Sequence, residues 1–481
     1  MISFVKKLKL TEKALLIYVG LCYLASVIRT FDILRFPYVV EYGEATILSQ
    51  VKTLFDGDFP YNKHLVEIHN YFSYTPFFQY LTSWMGASPE QWLHSARMLN
   101  SLSLFAVGIL ISAIFYQAKG DEKKPIHLVL PMLVWLSWYP VFNWMGLARL
   151  DGLALFFQVF GLYFYLRPSG KSVYQVLAMV SLILAFFSKQ SAIWMATALI
   201  VNDLYNKKLN LYWLIYIVGI CTGVAWLNFK SEGTLWTHLV GSNQNVFSFN
   251  LLVENLRANV VFHAGLLLIA LCGFYKMQFN RQNILTVTLL IMSIPYVIGI
   301  GREGSNVNFL LEISVPLTWL LILGVEKLDK AIAGSVLGVG LITFTMFDNF
   351  QFRWNFIKPK APQAWSNYSP DAARSIQNLI LLIRNNSGEI WSEDISLPIF
   401  AGKTPVYFPF EYMQGISRGV IDESVFLEKI KGKKVDFIIV ENRAFRPFAK
   451  RFTDKMAEAI NANYRVQSQD DFFYVYSPNT K

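Results

Sequence analysis

The sequence predicts a polytopic α-helical membrane protein of about eleven transmembrane helices, followed by a small C-terminal α/β domain on the extracytoplasmic side. Three observations predict it. Charge is scarce, the cations alternate between connections, and the pattern changes character after residue 350. Of 481 residues, 54% are hydrophobic and 16% charged, against about 25% charged in ordinary soluble chains. The missing charge is missing from long stretches: 14–28, 99–116, 150–166 and 308–325 are nearly uncharged apolar runs. Apolar runs of roughly 18 residues are too long for most buried core helices and suit a bilayer. The abundance of Phe, Tyr and Trp fits lipid-facing and interfacial surfaces.

Taken in order, the spans are expected near 13–33, 97–117, 126–143, 149–166, 173–188, 190–206, 210–229, 259–275, 284–300, 307–325 and 331–348. Only Ser188-Lys189-Gln190 divides the fifth from the sixth. The first span follows Lys6, Lys7 and Lys9 without a small-residue cleavage site, so it reads as a retained anchor. With the N-terminus inside, the inner connections hold Lys6, Lys7, Lys9 and Lys13, then Lys119, Lys123 and Lys124, then Arg167 and Lys171. They continue with Lys207 and Lys208, Lys276 and Arg281, and Lys327 and Lys330. The short outer connections hold one cation each: Arg149, Lys189 and Arg302. That is the positive-inside pattern, and it makes the net charge of +10 a matter of topology, with no nucleic-acid footprint. Cys22, Cys221 and Cys272 all fall within predicted spans, which argues against a disulfide framework.

The chain divides into a transmembrane domain, 1–349, and an extracytoplasmic domain, 350–481. The first outer loop, 34–96, carries amphipathic stretches punctuated by Pro37, Pro60, Pro76 and Pro89; a second, Asn-rich loop spans 230–258. In the tail, strand-like runs at 435–440 and 472–476 alternate with helical patterns at 370–385, 422–432 and 450–462. Asn367 and Asn385 head short N-glycosylation acceptor patterns.

Ionisable groups at span ends are where function shows in a membrane protein. Glu41-Tyr-Gly-Glu44 sets two carboxylates three residues apart on one face of a helical turn. One could be a general base while the other orients it or holds a cation; a solvated acidic helix start explains the same spacing. Arg149-Leu-Asp151 opens the fourth span and is either a snorkelling ion pair or a functional one. Lys189-Gln190 occupies a tight turn, and Gly301-Arg302-Glu-Gly304 precedes Asn306, Asn308 and Glu312, the last at least a turn inside the tenth span. Three cations and several carboxylates at one level suit an anionic head group such as a lipid phosphate, beside an acid–base residue. A transporter would place charge at mid-bilayer and show interrupted helices or repeats. His64, Glu67 and His69 could ligate a metal, but their spacing matches no zinc motif, and loop histidines are the better reading.

The first loop carries Glu41-Tyr-Gly-Glu44-Ala, Leu54-Phe-Asp-Gly57-Asp-Phe-Pro60-Tyr61 and Asn70-Tyr-Phe-Ser-Tyr74-Thr-Pro76. Ala96-Arg97-Met-Leu-Asn100-Ser101, Ala148-Arg149-Leu-Asp151-Gly-Leu-Ala154, Ser188-Lys189-Gln190 and Asn306-Val-Asn308-Phe-Leu-Leu-Glu312 follow in order. In this feature order, over roughly 10–350, the chain resembles the GT-C glycosyltransferases, with bacterial members related to protein O-mannosyltransferases and aminoarabinose transferases nearest. The resemblance implies an integral-membrane enzyme of the bacterial inner or plasma membrane. Such an enzyme moves a hexosyl or pentosyl group from a polyprenyl-phosphate donor to a glycolipid, envelope polysaccharide or protein acceptor, with inversion. It further implies that Glu44 or Glu41 is the base, Glu44 being favoured. Arg149, Lys189 and Arg302 would then bind the donor phosphate, Asp151 would orient Arg149, and Asn308 and Glu312 would contact the sugar or lipid head. Many members carry an Asp–Glu or Asp–Asp pair where this chain has Glu-Tyr-Gly-Glu. Members differ in using a divalent metal, and no other cofactor is implied. The alternative is a transporter or flippase of lipid-linked sugars.

Overall fold

The computed structural model describes residues 10–167, 172–277, 281–327, 369–442 and 451–479. Helices occupy the first ten predicted spans; the eleventh, 331–348, lies outside the described residues, as does Asn367. Among the described residues, four helices are long and apolar enough to cross a membrane: Leu15–Arg35, Pro89–Ala118, Trp213–Lys230 and Val307–Glu326. Shorter apolar helices accompany them, among them Asp151–Tyr165, Ser172–Ser188 and Ile284–Gly299. The contacts divide the chain into two compact units.

The first unit comprises Met1–Asp32, Arg97–Ala225 and Val246–Lys358, and within its described part it is a bundle of apolar helices. Hydrophobicity all round these helices leaves side-chain shape and indole hydrogen bonds to fix their register. The indoles of Trp135, Trp138 and Trp194 are buried. They donate to the Leu104 carbonyl (3.0 Å), Thr318 Oγ1 (2.9 Å) and the Leu289 carbonyl (2.9 Å) respectively. Asp151–Tyr165 and Ser172–Ser188 pack as a hairpin, and Phe249–Lys276 lies along Leu311–Lys327. The second pair meets through two glycines: a Cβ on Gly273 would stand 1.9 Å from the Leu320 carbonyl oxygen, and one on Gly324 2.3 Å from that of Ile269. Small residues let the two backbones touch where lipid gives no hydrophobic drive.

The third predicted span is broken. Ile126–Ser137 stops at Trp138, whose extended backbone (ψ 136°) precedes the short helix Tyr139–Trp144 with Pro140 in its first turn. A proline at N1 or N2 is favourable in a first turn. The eighth predicted span, in contrast, begins ten residues early. Ser248 caps the helix Phe249–Lys276 by accepting the Leu251 N–H at 3.3 Å.

The second unit comprises Ile33–Ala96, Trp226–Asn245 and Pro359–Lys481. Its sheet is four-stranded, in the order β1 (Ile390–Ser392), β2 (Phe437–Glu441), β4 (Phe473–Pro478), β3 (Tyr464–Gln469). β1 and β2 run parallel, while β2–β4 and β4–β3 are antiparallel, with an irregularity between Val466 and Ser468. Ser369 and Thr453 cap the helices Pro370–Asn385 and Asp454–Asn463 through the Ala372 and Met456 amides. An aromatic stack forms the core: Trp391 lies flat on Tyr407 at 4.8 Å, and Tyr407 on Phe452 at 5.3 Å. Ala45 belongs to this core, and Val39 and Tyr42 pack against it, so a piece of the first loop completes the hydrophobic centre of the tail.

Candidate functional site

The helix Tyr42–Phe55 carries the first-loop carboxylates. Glu41 is its N-cap, with Oε2 accepting the Gly43 N–H at 2.9 Å. Glu44, three residues on and fully buried, reaches back so that its Oε2 accepts the Val40 N–H at 2.8 Å. Together they bracket the helix start: Glu41 caps the orphan Gly43 amide, and Glu44 ties back the residue that precedes the cap. The three-residue spacing is therefore used structurally; Glu44 is buried, while Glu41 and Tyr42 are half-buried.

The other first-loop motifs frame this helix. Asp56 ends it and Gly57, at φ +90°, follows in the left-handed region. The Gly57 N–H donates to the Leu54 carbonyl (3.2 Å) and the Asp58 N–H to that of Thr53 (3.1 Å), a Schellman stop. Asn70, buried, accepts from Ser49 Oγ at 3.2 Å and donates to Thr53 Oγ1 at 3.3 Å. Gln50 Nε2 donates to the Tyr71 carbonyl at 2.9 Å. His238, from the second loop, accepts the Phe72 N–H on Nδ1 (3.1 Å), and its Nε2 lies 3.3 Å from the Asn62 carbonyl. Burial pulls that imidazole down to about 4, with the Asn62 carbonyl opposing.

From the tail, Glu411 Oε2 accepts the Tyr42 hydroxyl at 2.6 Å, and the Arg451 guanidinium lies over the Tyr42 ring at 4.3 Å. Burial raises Tyr42 well above an ordinary phenol and raises the Glu411 carboxyl too, with the Tyr42 hydrogen bond opposing the latter. Burial also pushes Asp394 up to about 7, and the charges of Glu441 and Glu44 add to this.

In the first unit, Asp151 is a hub. Its Oδ1 accepts from Lys189 Nζ (2.6 Å) and Asn308 Nδ2 (3.0 Å), and its Oδ2 from Trp144 Nε1 (2.7 Å). Asp151, Lys189 and Asn308 are all under 9% exposed. Four sequence-predicted residues thus gather here, counting Arg149, whose guanidinium covers the Trp144 ring at 5.0 Å. Asp151 pairs directly with Lys189, which sits in the turn between Ser172–Ser188 and Trp194–Tyr205, and the Arg149 charge also lies within electrostatic reach of Asp151. Phe309 lies under the Lys189 ammonium at 5.3 Å.

Glu312 is 7% exposed, and its Oε2 has no hydrogen-bond partner among the described residues. It lies within electrostatic reach of Lys189 and Asp151. Buried polar atoms are nearly always hydrogen-bonded, which makes this oxygen unusual. Arg302 does not join the cluster. It is exposed on the turn leading to Gly304, and its strand-like partner is Phe247.

Trp144, Asn100 and Gly152 were not singled out in the sequence. Asn100 donates to the Trp144 and Leu147 carbonyls (2.8 and 3.0 Å) and accepts the Gly152 N–H (3.0 Å), which pins the turn ahead of Asp151. A Cβ at Gly152 would meet Asn100 Oδ1 at 2.3 Å. The signal was present, since Asn100 and Gly152 stand inside two of the resembling motifs. His64 faces Asp58 at 3.5 Å and His69 Nδ1 faces the Tyr71 hydroxyl at 2.9 Å. Among the described residues no three or more His, Cys, Asp or Glu are placed to hold a metal ion.

No family model matches the chain, and no curated protein matches it. Solved structures do. ArnT from Cupriavidus metallidurans in the apo state shares 13% identity at a TM-score of 0.62, over 96% of this chain and 97% of that one. The same protein bound to undecaprenyl phosphate gives 12% and 0.56, over 96% and 98%. The archaeal oligosaccharyltransferase AglB from Archaeoglobus fulgidus, in complex with an inhibitory peptide and a dolichol-phosphate, gives 12% and 0.50, over 97% and 74%. At this identity the likeness is one of fold. The fold is the one these ArnT and AglB structures share.

Proposed function

We propose that this protein is a polyprenyl-phosphate-dependent glycosyltransferase of the membrane. The observation that carries the reading is the fold shared along 96% of the chain with ArnT from Cupriavidus metallidurans, a protein whose structure holds undecaprenyl phosphate. In this reading the chain spans the membrane about eleven times with residues 350–481 on the extracytoplasmic face.

The reaction forms one bond and breaks one. An acceptor hydroxyl or amine attacks the anomeric carbon, the carbon–oxygen bond to the phosphate breaks, and polyprenyl phosphate leaves with inversion. Glu44 or Glu41 takes the acceptor's proton. Lys189, held by Asp151, and Arg149, held on Trp144, supply positive charge for the departing phosphate. Arg302, on its exposed turn, meets the lipid head group from outside. Asn308 and Glu312 contact the sugar, Glu312 through its available oxygen.

The test supplies purified wild-type, Glu44→Gln and Glu41→Gln protein with labelled polyprenyl-phosphate sugars and a membrane extract as acceptor. Transfer by wild type, reduced about 100-fold or more in one of the two variants, is expected for loss of a general base. Movement of donor across vesicles without transfer, unaffected by either change, would establish the transporter instead.

A further inference from the structure

The helix start that carries Glu41 and Glu44 is not held by the first loop alone. We propose that Glu411 and Arg451 of the tail are positioning residues, which set the first-loop carboxylates by gripping Tyr42 between them. Tyr42 is the first residue of its helix, with the Glu41 cap immediately before it and Glu44 two residues after. Its hydroxyl donates to Glu411 Oε2 at 2.6 Å. Its ring lies under the Arg451 guanidinium at 4.3 Å, and the same guanidinium reaches the Phe410 ring at 5.8 Å. Arg451 is itself braced, with Nε 3.7 Å from Glu393 Oε1 and its carbonyl accepting the Tyr407 hydroxyl at 3.0 Å.

Two further contacts show that this turn is set from the tail side. Tyr38 meets Phe400 edge to face at 5.3 Å, and the short helix Ser396–Phe400 packs along Tyr42–Phe55. Ala45 is wholly buried in the core built on Trp391 and Tyr407. The turn is thus fixed on either side of Tyr42. Any shift of the Tyr42 backbone would move the first helical turn, and with it both caps, Gly43 N–H on Glu41 and Val40 N–H on Glu44. Polar, aromatic and cationic contacts converging on one ring specify an orientation in a way that apolar packing does not.

The inference rests on the reading of Glu41 and Glu44 as base, and two measurements keep it separable from that reading. The first is sugar transfer by Tyr42→Phe, Glu411→Ala, Glu411→Gln and Arg451→Lys. Tyr42→Phe and Glu411→Ala are expected to lower kcat on the order of tenfold or more with the donor KM unchanged. Glu411→Gln, which keeps an acceptor oxygen, restores most of it, and Arg451→Lys, which loses the planar face, does not. The second is hydrogen exchange at the amides of residues 40–44, which needs no substrate. Exchange there is expected to quicken in Tyr42→Phe and Glu411→Ala and to stay slow in Glu411→Gln. Wild-type exchange and wild-type kcat in folded Tyr42→Phe would overturn the proposal. Quickened exchange in a protein that transfers no sugar would leave the clamp standing and remove the catalytic reading.

Discussion

Asp151 accepts three side-chain hydrogen bonds from inside the bundle, so a substitution there acts through what it leaves behind. Asp151→Ala would strand the Lys189 ammonium, and stranding one partner of a buried pair costs about 3–5 kcal/mol. A thermal-unfolding midpoint well below wild type is expected, with Asp151→Asn intermediate because its amide oxygen still accepts. A midpoint equal to wild type would show that the pair contributes nothing. His238 makes a pH prediction. Its folded value, about 4, lies below the ordinary 6.5, so the unfolded chain binds the extra proton between those limits. The stability it contributes is present above 6.5 and is lost as pH falls toward 4. The wild-type minus His238→Phe difference in unfolding midpoint should therefore grow as pH rises through that window. A flat difference would mean the ring is not held neutral. At this scale the sequence was half legible. Asp151, Lys189 and Asn308 were chosen as candidates, but their mutual contact bridges 38 and 157 residues and only the tertiary fold creates it.

Elements were more legible than residues, because hydrophobic runs are local. Helices stand at the first ten predicted spans, and the Lys189 turn falls between two of them. The misses have local causes: Trp138 breaks a uniformly apolar stretch that no charge interrupts, and Ser248 starts a helix inside what read as a loop. The Glu41/Glu44 spacing was ambiguous for a deeper reason, since a capping pair and an acid–base pair need the same helical face. Two glycines give tests at this scale. Gly57→Ala places a Cβ at φ +90° and should cost about 1–2 kcal/mol. Gly324→Val drives its side chain into the Ile269 carbonyl and should separate Phe249–Lys276 from Leu311–Lys327, at roughly 1–3 kcal/mol or more. Unfolding midpoints read both; an unchanged Gly324→Val would mean that the helices do not approach as closely as the glycines permit.

For the whole molecule, the sequence expected a membrane part and a tail divided at residue 350, whereas contacts group the tail with Ile33–Ala96 and Trp226–Asn245. Hydropathy follows the solvent each segment meets; it carries no information on which distant segments share a core. Sidedness can be read by single engineered cysteines at exposed tail positions such as Val420 and Val425. Labelling by a membrane-impermeant reagent in intact spheroplasts is expected, and labelling only after lysis would reverse the proposed orientation. Removing residues 369–481 should expose Val39, Tyr42 and Ala45, and make the first loop sensitive to protease.

That shared core also fixes an order of events. A ribosome makes residues 33–96 well before residues 369–479, yet the hydrophobic centre that Ala45 enters contains Trp391, Ile438 and Tyr476. The helix bearing Glu41 and Glu44 must therefore wait, without its final packing partners, until those later residues have been made. A chain cut short of them would still lack a formed first loop, so the proposed chemistry is acquired only after the tail has joined it.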